Sequence, residues 1–240
     1  MSTYVLVHGA WHGAWCWKEV LPRLEEQGHS VVTLDLPGHG EDRTPISEVS
    51  LDAYVRRVRD VVSGQTEPVI LVGHSMGGLV ITRVAEEIPE RLSALVYVTA
   101  FLLPSGTTLQ DAAQKDEAAL VLPNLVANDQ EGSGTLPEEL LPEIFYADCP
   151  PDAVSYAIER LVPQALGPFV TPLQHSEERF GSVPRIYIEC TADRAITIEA
   201  QRSMQAAVPC RRVVTMETSH SPFFAKPAEL AEHLHAAAAT

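Results

Sequence analysis

One six-residue segment, residues 73–78 with the sequence GHSMGG, limits the possible folds of this chain more than any other. It follows an apolar run at residues 69–72 and precedes a stretch whose apolar residues recur with helical spacing. A G-x-S-x-G sequence between a strand and a helix is typical of a sharp, strained turn that exposes the serine hydroxyl. The segment therefore predicts Ser75 as a nucleophile at the amino end of a helix, where the helix dipole favours developing negative charge.

Short apolar runs of the kind found in buried strands alternate with helical patterns along most of the chain. This alternation is typical of a parallel sheet that is covered by helices on both faces. We therefore predict an α/β fold with about six mostly parallel strands. The predicted strands are residues 4–7, 31–34, 69–72, 94–98, 185–190 and 211–216.

The alternation stops after the fourth predicted strand, where prolines are frequent and no strand is predicted. Residues 111–120 and 151–161 have helical patterns, and residues 132–137 are typical of a loop. An insertion at this point lies near the carboxyl ends of parallel strands, so we interpret it as a small helical lid, with a second lobe of the core as the alternative. The predicted organisation is one domain with core segments at residues 1–102 and 183–240 and a lid at residues 103–182.

A serine nucleophile needs a general base, and the base needs an acid that orients it. His220 follows the last predicted strand by four residues, which places it at the same sheet edge as Ser75. Asp193 follows the strand at residues 185–190 and lies between Ser75 and His220 in the chain. The other position for an acid, after the strand at residues 94–98, has no carboxylate. We therefore predict a triad of Ser75, His220 and Asp193.

Two backbone N–H groups are expected to stabilise the oxyanion that forms when Ser75 attacks a carbonyl carbon. Met76, the residue after the nucleophile, supplies one of them. The turn after the first strand, HGAW at residues 8–11, bends toward Ser75 and directs the Ala10 amide to the same place. We also expect an apolar pocket beside these groups. Its candidate lining residues are Trp11, Phe101, Phe145, Phe169 and Phe223.

The charge balance argues against nucleic acids and anionic membranes as partners, because 17 Lys and Arg against 32 Asp and Glu give a net charge of −15. No apolar run approaches the roughly 18 residues that a membrane span requires. No secretory signal is visible at the start of the chain, and the four cysteines are widely spaced. We therefore expect a cytoplasmic protein with reduced thiols, and we leave a homodimer open.

No cofactor is expected from the sequence. His8 and His12 are four residues apart, but they lack the HExxH pattern and a carboxylate partner, which argues against a zinc site. No GxGxxG follows a predicted strand, which argues against a dinucleotide. The expected partner is therefore a small-molecule substrate alone, with no metal.

The chain resembles the α/β-hydrolases over nearly its whole length. Three segments carry the resemblance: residues 5–15 (VLVHGAWHGAW), 72–78 (VGHSMGG) and 179–188 (RFGSVPRIYI). More narrowly, the chain is similar to the branch that holds plant methylesterases, the salicylate-binding esterase, hydroxynitrile lyases and bacterial esterases of the pyrethroid-hydrolase type. The resemblance implies the α/β-hydrolase fold, and it assigns the same triad and oxyanion-hole residues as the spacing argument. Hydroxynitrile lyases have Thr and Lys where this chain has Gly9 and Ser221, so lyase activity is not expected.

These observations favour a serine carboxylester hydrolase that acts through an acyl-enzyme on a small to medium apolar ester. A lactonase, an amidase or a tailoring hydrolase of natural-product synthesis would use the same triad, and these alternatives stay open. A receptor that binds its ligand and barely hydrolyses it is less favoured, because the triad is complete. Epoxide hydrolases and dehalogenases need Asp in place of Ser75, which excludes both.

Overall fold

A computed structural model describes residues 1–238 of the chain, which contain nine strands and ten α-helices. The strands are β1 Thr3–Val7, β2 Ser30–Leu34, β3 Val69–His74, β4 Leu92–Val98, β5 Val126–Asn128, β6 Ser133–Thr135, β7 Gln164–Ala165, β8 Arg185–Cys190 and β9 Arg212–Met216. The helices are α1 Leu21–Glu26, α2 Leu51–Ser63, α3 Gly77–Glu87, α4 Leu109–Lys115, α5 Leu141–Phe145, α6 Pro151–Ile158, α7 Gly167–Val170, α8 Ile198–Ala207, α9 Pro222–Ala225 and α10 Pro227–Ala237. Short 3₁₀ turns lie at Ala14–Trp17, Ile46–Glu48, Pro89–Arg91, Leu122–Asn124, Glu138–Leu140 and Phe180–Ser182.

The main sheet has six parallel strands in the order β2-β1-β3-β4-β8-β9. All six strands predicted from the sequence are confirmed, each to within two residues at either end. The central strands β3 and β4 are almost completely buried, as expected for strands that are covered on both faces. Every strand of this sheet therefore ends at one edge, where the predicted site residues follow.

Helices cover both faces of the main sheet. From β1 the chain passes through α1 to the edge strand β2. It then crosses the sheet in the opposite direction, where α2 connects β2 to β3, α3 connects β3 to β4 and α8 connects β8 to β9. Because such crossovers are right-handed, α1 lies on one face and the other three lie on the opposite face. In agreement, α2 packs against α3, and α10 packs against α1. The predicted α/β architecture is confirmed.

The inserted segment, residues 103–182, contains strands that were not predicted. It holds a small antiparallel sheet of β5, β6 and β7, and β6 lies within the stretch predicted as a loop. These strands have two or three residues each, which is too short to show the alternation that identifies a strand.

Two helices predicted in the inserted segment are present, with shifted ends. The first, α4, begins earlier than predicted because Thr108 and Asp111 form a capping box at its start. It also ends earlier, at Lys115, whereas the pattern predicted a helix to residue 120. The second, α6, covers most of residues 151–161. Within residues 1–238, no helix combines the length and apolar character of a membrane span.

Candidate active site

Ser75 lies in a sharp turn between β3 and α3. Its φ is +53°, in the left-handed region that side chains other than glycine rarely adopt. The turn is fixed by its own backbone, since the Ser75 carbonyl accepts hydrogen bonds from the N–H groups of Gly78 at 3.0 Å and Phe101 at 3.1 Å. Residues held in such strained conformations are concentrated at functional sites. The Ser75 hydroxyl makes no hydrogen bond within residues 1–238 and faces a cavity.

The turn after β1 packs directly against the Ser75 turn, and glycine permits this approach. A Cβ atom on Gly9 would lie 2.7 Å from the Ser75 Cβ, and one on Gly77 would lie 2.8 Å from the His8 carbonyl oxygen. Both distances are shorter than non-bonded atoms tolerate. The two turns can therefore pack at this distance only if positions 9 and 77 carry no side chain.

Ala10 and Met76 present the backbone N–H groups that the sequence analysis selected. Both residues are buried and both line the cavity beside Ser75. Within residues 1–238, neither N–H donates to a protein acceptor. Unpaired buried N–H groups are rare in folded proteins, because a buried donor without a hydrogen bond costs about 1–3 kcal/mol. Two of them beside one serine hydroxyl are available to a negatively charged oxygen.

Asp193 is held by donors on both of its carboxylate oxygens. Oδ1 accepts the N–H groups of Ala195 at 2.7 Å and Ile196 at 2.9 Å. Oδ2 lies 2.7 Å from Nδ1 of His220 and also accepts the hydroxyl of Thr99. These four contacts fix the position of the carboxylate in a buried environment.

His220 is buried, and its ring is oriented from one side by Asp193. Its backbone is also held, since its carbonyl oxygen accepts a hydrogen bond from Nε2 of His74 at 2.8 Å. The preceding Ser219 donates its N–H and its hydroxyl to Asp148 of the inserted segment. With Nδ1 committed to Asp193, Nε2 is the ring nitrogen left for other chemistry. Within residues 1–238 no hydrogen bond joins Nε2 to Ser75 Oγ, a contact that often tightens only with substrate bound.

Buried histidines next to these residues are neutral and act through hydrogen bonds. Burial lowers the pKa of His12 to about 3, and burial also lowers the pKa of His8 and His74 well below the usual range. His12 lies 2.8 Å from the carbonyl oxygen of Ala10 through Nδ1 and 2.7 Å from the Tyr146 hydroxyl through Nε2. The neutral ring therefore donates to Ala10 and accepts from Tyr146, which fixes the peptide group next to the Ala10 N–H.

The cavity beside Ser75 is lined almost completely by apolar side chains. Four of the five aromatic residues selected from the sequence line it: Trp11, Phe101, Phe145 and Phe169. Trp11 also donates its indole N–H to the Gly134 carbonyl at 2.9 Å, which ties the turn after β1 to the small sheet.

Phe223, the fifth of these aromatic residues, does not line this cavity in the structure. It is completely buried, with ring centroids 4.9 Å from His74 and 5.4 Å from Trp17. The reason is that α9 begins at Pro222, directly after the His220 loop, and its first turn packs into the core.

Aliphatic side chains that were not predicted form the remaining walls of the cavity. Leu109, Val121 and Leu122 contribute from the inserted segment, and Ile196 contributes from the loop after Asp193. Only the proximity of Ile196 to a predicted catalytic residue could have indicated one of them. Among residues 1–238, no group of three or more His, Cys, Asp or Glu side chains could hold a metal ion.

Comparisons with known proteins agree over almost the whole chain. A model of the alpha/beta hydrolase family matches residues 4–233. Methylesterase 2 of Arabidopsis thaliana is 33% identical, over 98% of this chain and 95% of its own length. The pyrethroid hydrolase of Sphingobium wenxiniae is 34% identical, over 97% of this chain and 86% of its own length. A crystal structure of polyneuridine aldehyde esterase has a TM-score of 0.89 at 26% identity and covers 99% of both chains. The chain therefore belongs to the alpha/beta hydrolase family, and its relatives there are esterases.

Proposed function

We propose that the protein is a serine carboxylester hydrolase in which Ser75, His220 and Asp193 form the catalytic triad. The observation that carries this proposal is the grouping of three features at one cavity. These are a serine hydroxyl beside the cavity on a strained turn, two unpaired backbone N–H groups, and a histidine held by a buried carboxylate. This is the donor and acceptor set that acyl transfer requires.

In the proposed reaction, Ser75 Oγ attacks the ester carbonyl carbon while His220 Nε2 accepts the hydroxyl proton. The N–H groups of Ala10 and Met76 donate to the oxyanion of the tetrahedral intermediate. The carbon–oxygen bond to the alcohol then breaks, and His220 returns the proton to the departing alcohol. A water molecule then attacks the acyl-enzyme while His220 accepts its proton. The bond to Ser75 Oγ breaks, His220 returns the proton to Oγ, and the carboxylic acid is released.

Asp193 has two roles in this scheme. Its contact with Nδ1 keeps the His220 proton on that nitrogen, so that Nε2 has a free lone pair for the Ser75 proton. Its negative charge then stabilises the imidazolium that forms during each proton transfer. The N–H groups of Ala195 and Ile196 hold the carboxylate in place for both roles.

The apolar cavity supports a small to medium apolar ester as substrate, because polar substituents would lose their water without gaining partners there. The names of the relatives, methylesterase and pyrethroid hydrolase, agree with an ester of this kind. We also propose that the inserted segment, residues 103–182, is a lid. It supplies Leu109, Phe145 and Phe169 to the cavity and so separates the reacting carbonyl from water.

The cellular setting is also part of the proposal. The four cysteines, Cys16, Cys149, Cys190 and Cys210, form no disulfide, which supports a reducing cytoplasm. The proposed triad and oxyanion donors all come from one chain, so the proposed mechanism does not require the homodimer that the sequence left open.

Hydrolysis of p-nitrophenyl acetate, butyrate and octanoate by the wild type and by Ser75→Ala tests the function. We expect turnover of at least one ester and its loss by a factor of at least about 10³ in the variant. A γ-lactone and an anilide, measured beside the esters, separate the lactonase and amidase alternatives. Turnover that survives in Ser75→Ala, or folded wild type that hydrolyses none of these compounds, would overturn the proposal.

A further inference from the structure

A second, larger cavity lies directly behind the cavity that holds Ser75. This outer cavity has a volume of about 430 Å³ and lies between α4 and α8. Four residues line both cavities: Phe101, Ala113, Ala195 and Ile196. The two cavities are therefore adjacent, and these residues form a wall common to both.

The separating wall can open without the loss of a hydrogen bond. Its two large members are Phe101 and Ile196, and neither side chain has a polar atom. Their backbones are fixed, since Phe101 N–H donates to the Ser75 carbonyl at 3.1 Å and Ile196 N–H donates to Asp193 at 2.9 Å. A rotamer change of either side chain therefore alters the wall and leaves the catalytic turn in place.

The outer cavity is held in shape by contacts between the inserted segment and the core. Asp116, at the end of α4, accepts the N–H of Thr197 at 2.9 Å and its hydroxyl at 2.7 Å. A few residues later, Leu120 N–H donates to the Arg194 carbonyl at 2.8 Å. These bonds join the carboxyl end of α4 to the amino end of α8, so that the space between the two helices is maintained.

The chemistry of the outer cavity fits an apolar chain. Ala112, Ala200 and Met204 contribute apolar surface to it. Of its charged lining residues, Lys115 and Glu199 are exposed, and Asp116 is hydrogen-bonded to Thr197. A hydrocarbon arm that extends from the Ser75 cavity would gain the burial of its methylene groups.

We propose that the outer cavity is a second substrate subsite, which accepts the distal apolar arm of an elongated ester whose carbonyl group lies against Ser75. This inference rests on the proposed esterase function. It adds that the enzyme prefers long esters over acetate, and that Phe101 and Ile196 control passage between the two cavities.

A bulky side chain in the outer cavity tests the subsite. Ser203 lines only the outer cavity, on the exposed side of α8, so Ser203→Trp places an indole there without touching the triad. Ala206→Trp is the matched control, because Ala206 is an exposed position of the same helix and lines neither cavity. The substrates are p-nitrophenyl acetate and octanoate, which vary the acyl arm, and octyl acetate, which varies the alcohol arm.

We expect Ser203→Trp to lower kcat/KM for octanoate or for octyl acetate by about tenfold and to change kcat/KM for p-nitrophenyl acetate by less than about twofold. A tenfold loss corresponds to removing about two methylene groups from an apolar environment. Ala206→Trp should leave all three values within about twofold of the wild type. The substrate that is affected identifies which arm of the ester occupies the subsite.

Opening the wall provides a second measurement. Phe101→Ala should raise the ratio of kcat/KM for the affected long ester to kcat/KM for acetate, because the two cavities then merge. Ser203→Trp in the Phe101→Ala background should reverse that gain.

The subsite proposal is overturned if Ser203→Trp leaves the ratio of kcat/KM for the long ester to kcat/KM for p-nitrophenyl acetate at the wild-type value, both for octanoate and for octyl acetate. It is also overturned if the wild type prefers neither long ester over p-nitrophenyl acetate. Either result leaves the proposed function intact as long as acetate hydrolysis depends on Ser75. Loss of that dependence would instead show that the esterase proposal itself is wrong.

Discussion

Thr99 donates its hydroxyl to Oδ2 of Asp193, the same carboxylate oxygen that lies 2.7 Å from Nδ1 of His220. Thr99 is completely buried directly after β4, and its φ is +37°, an unfavourable value for a β-branched residue. The ends of β4 and β8 thus converge on one carboxylate. The position after β4 carries no acid, and its side chain instead orients the acid that follows β8.

Removing the Thr99 hydroxyl should impair catalysis with little effect on substrate binding. Thr99→Val keeps the shape of the side chain but removes the donor, and a hydrogen bond to a charged group contributes about 1.5–3 kcal/mol. We expect kcat for p-nitrophenyl butyrate to fall about tenfold and KM to change less than about twofold. Thr99→Ser restores the donor and should recover most of kcat.

A merely structural role for Thr99 predicts a different pattern. In that case Thr99→Val and Thr99→Ser would lose activity in proportion to their loss of stability in urea unfolding. Equal kcat values for wild type and for folded Thr99→Val would show that Asp193 does not need the hydroxyl.

The close approach of the two turns at Ser75 predicts a strong effect of Gly9→Ala. The added Cβ would lie 2.7 Å from the Ser75 Cβ, so one of the turns has to move. Displacement of the Ala10 N–H should lower kcat by about 10²–10³-fold, the range seen when one oxyanion donor is lost. Steady-state kinetics with p-nitrophenyl butyrate measures it.

Gly64→Ala is the matched control for Gly9→Ala. Gly64 has a φ of −75° at the end of α2, and an added Cβ would come no closer than 3.5 Å to another atom. We expect unchanged kinetics in this variant. Wild-type kcat in Gly9→Ala would contradict the tight packing of the two turns.

The buried histidines predict a loss of stability in acid. Burial lowers the pKa of His12 to about 3, below its unfolded value of about 6.5, so the unfolded chain binds the proton more readily between these limits. The free energy of unfolding therefore decreases as the pH falls from about 6.5, by about 1.4 kcal/mol per pH unit for this group. Urea unfolding at pH 6 and pH 4.5 measures the decrease.

His12→Asn removes this titration and retains an amide that can donate to the Ala10 carbonyl. At pH 6 its free energy of unfolding should be lower than that of the wild type. Between pH 6 and pH 4.5, the decrease in the variant's free energy of unfolding should be smaller than the decrease in the wild type by about 2 kcal/mol. The same pH dependence in both proteins would show that His12 is already protonated in the folded state.

The sequence contains enough information to predict the main sheet and to select the residues that the structure brings together at Ser75. Each of those residues follows a predicted strand or belongs to a motif of fixed geometry, as Asp193 follows the buried strand β8. Thr99 was not predicted as a site residue, because only a carboxylate was expected to act at that position. Phe223 was expected among the aromatic pocket residues, but the first turn of α9 directs it into the core.

The walls of both cavities could not be read from the sequence. Leu109 and Ile196 face the Ser75 cavity because short helices and loops of the inserted segment pack against the core, and no periodicity encodes that packing. The same holds for the bond between Asp116 and Thr197, which joins positions far apart in the chain. The strands β5, β6 and β7 are too short for their own residues to identify them.

The most direct test of the account is the detection of the acyl-enzyme on Ser75. The wild type is mixed with p-nitrophenyl butyrate, quenched in acid within the first turnovers, and measured as an intact protein and as peptides by mass spectrometry. The account predicts one butyryl group on the peptide that contains Ser75, and none in Ser75→Ala treated in the same way. Steady turnover with the butyryl group on another residue, or undiminished turnover by Ser75→Ala, would contradict it.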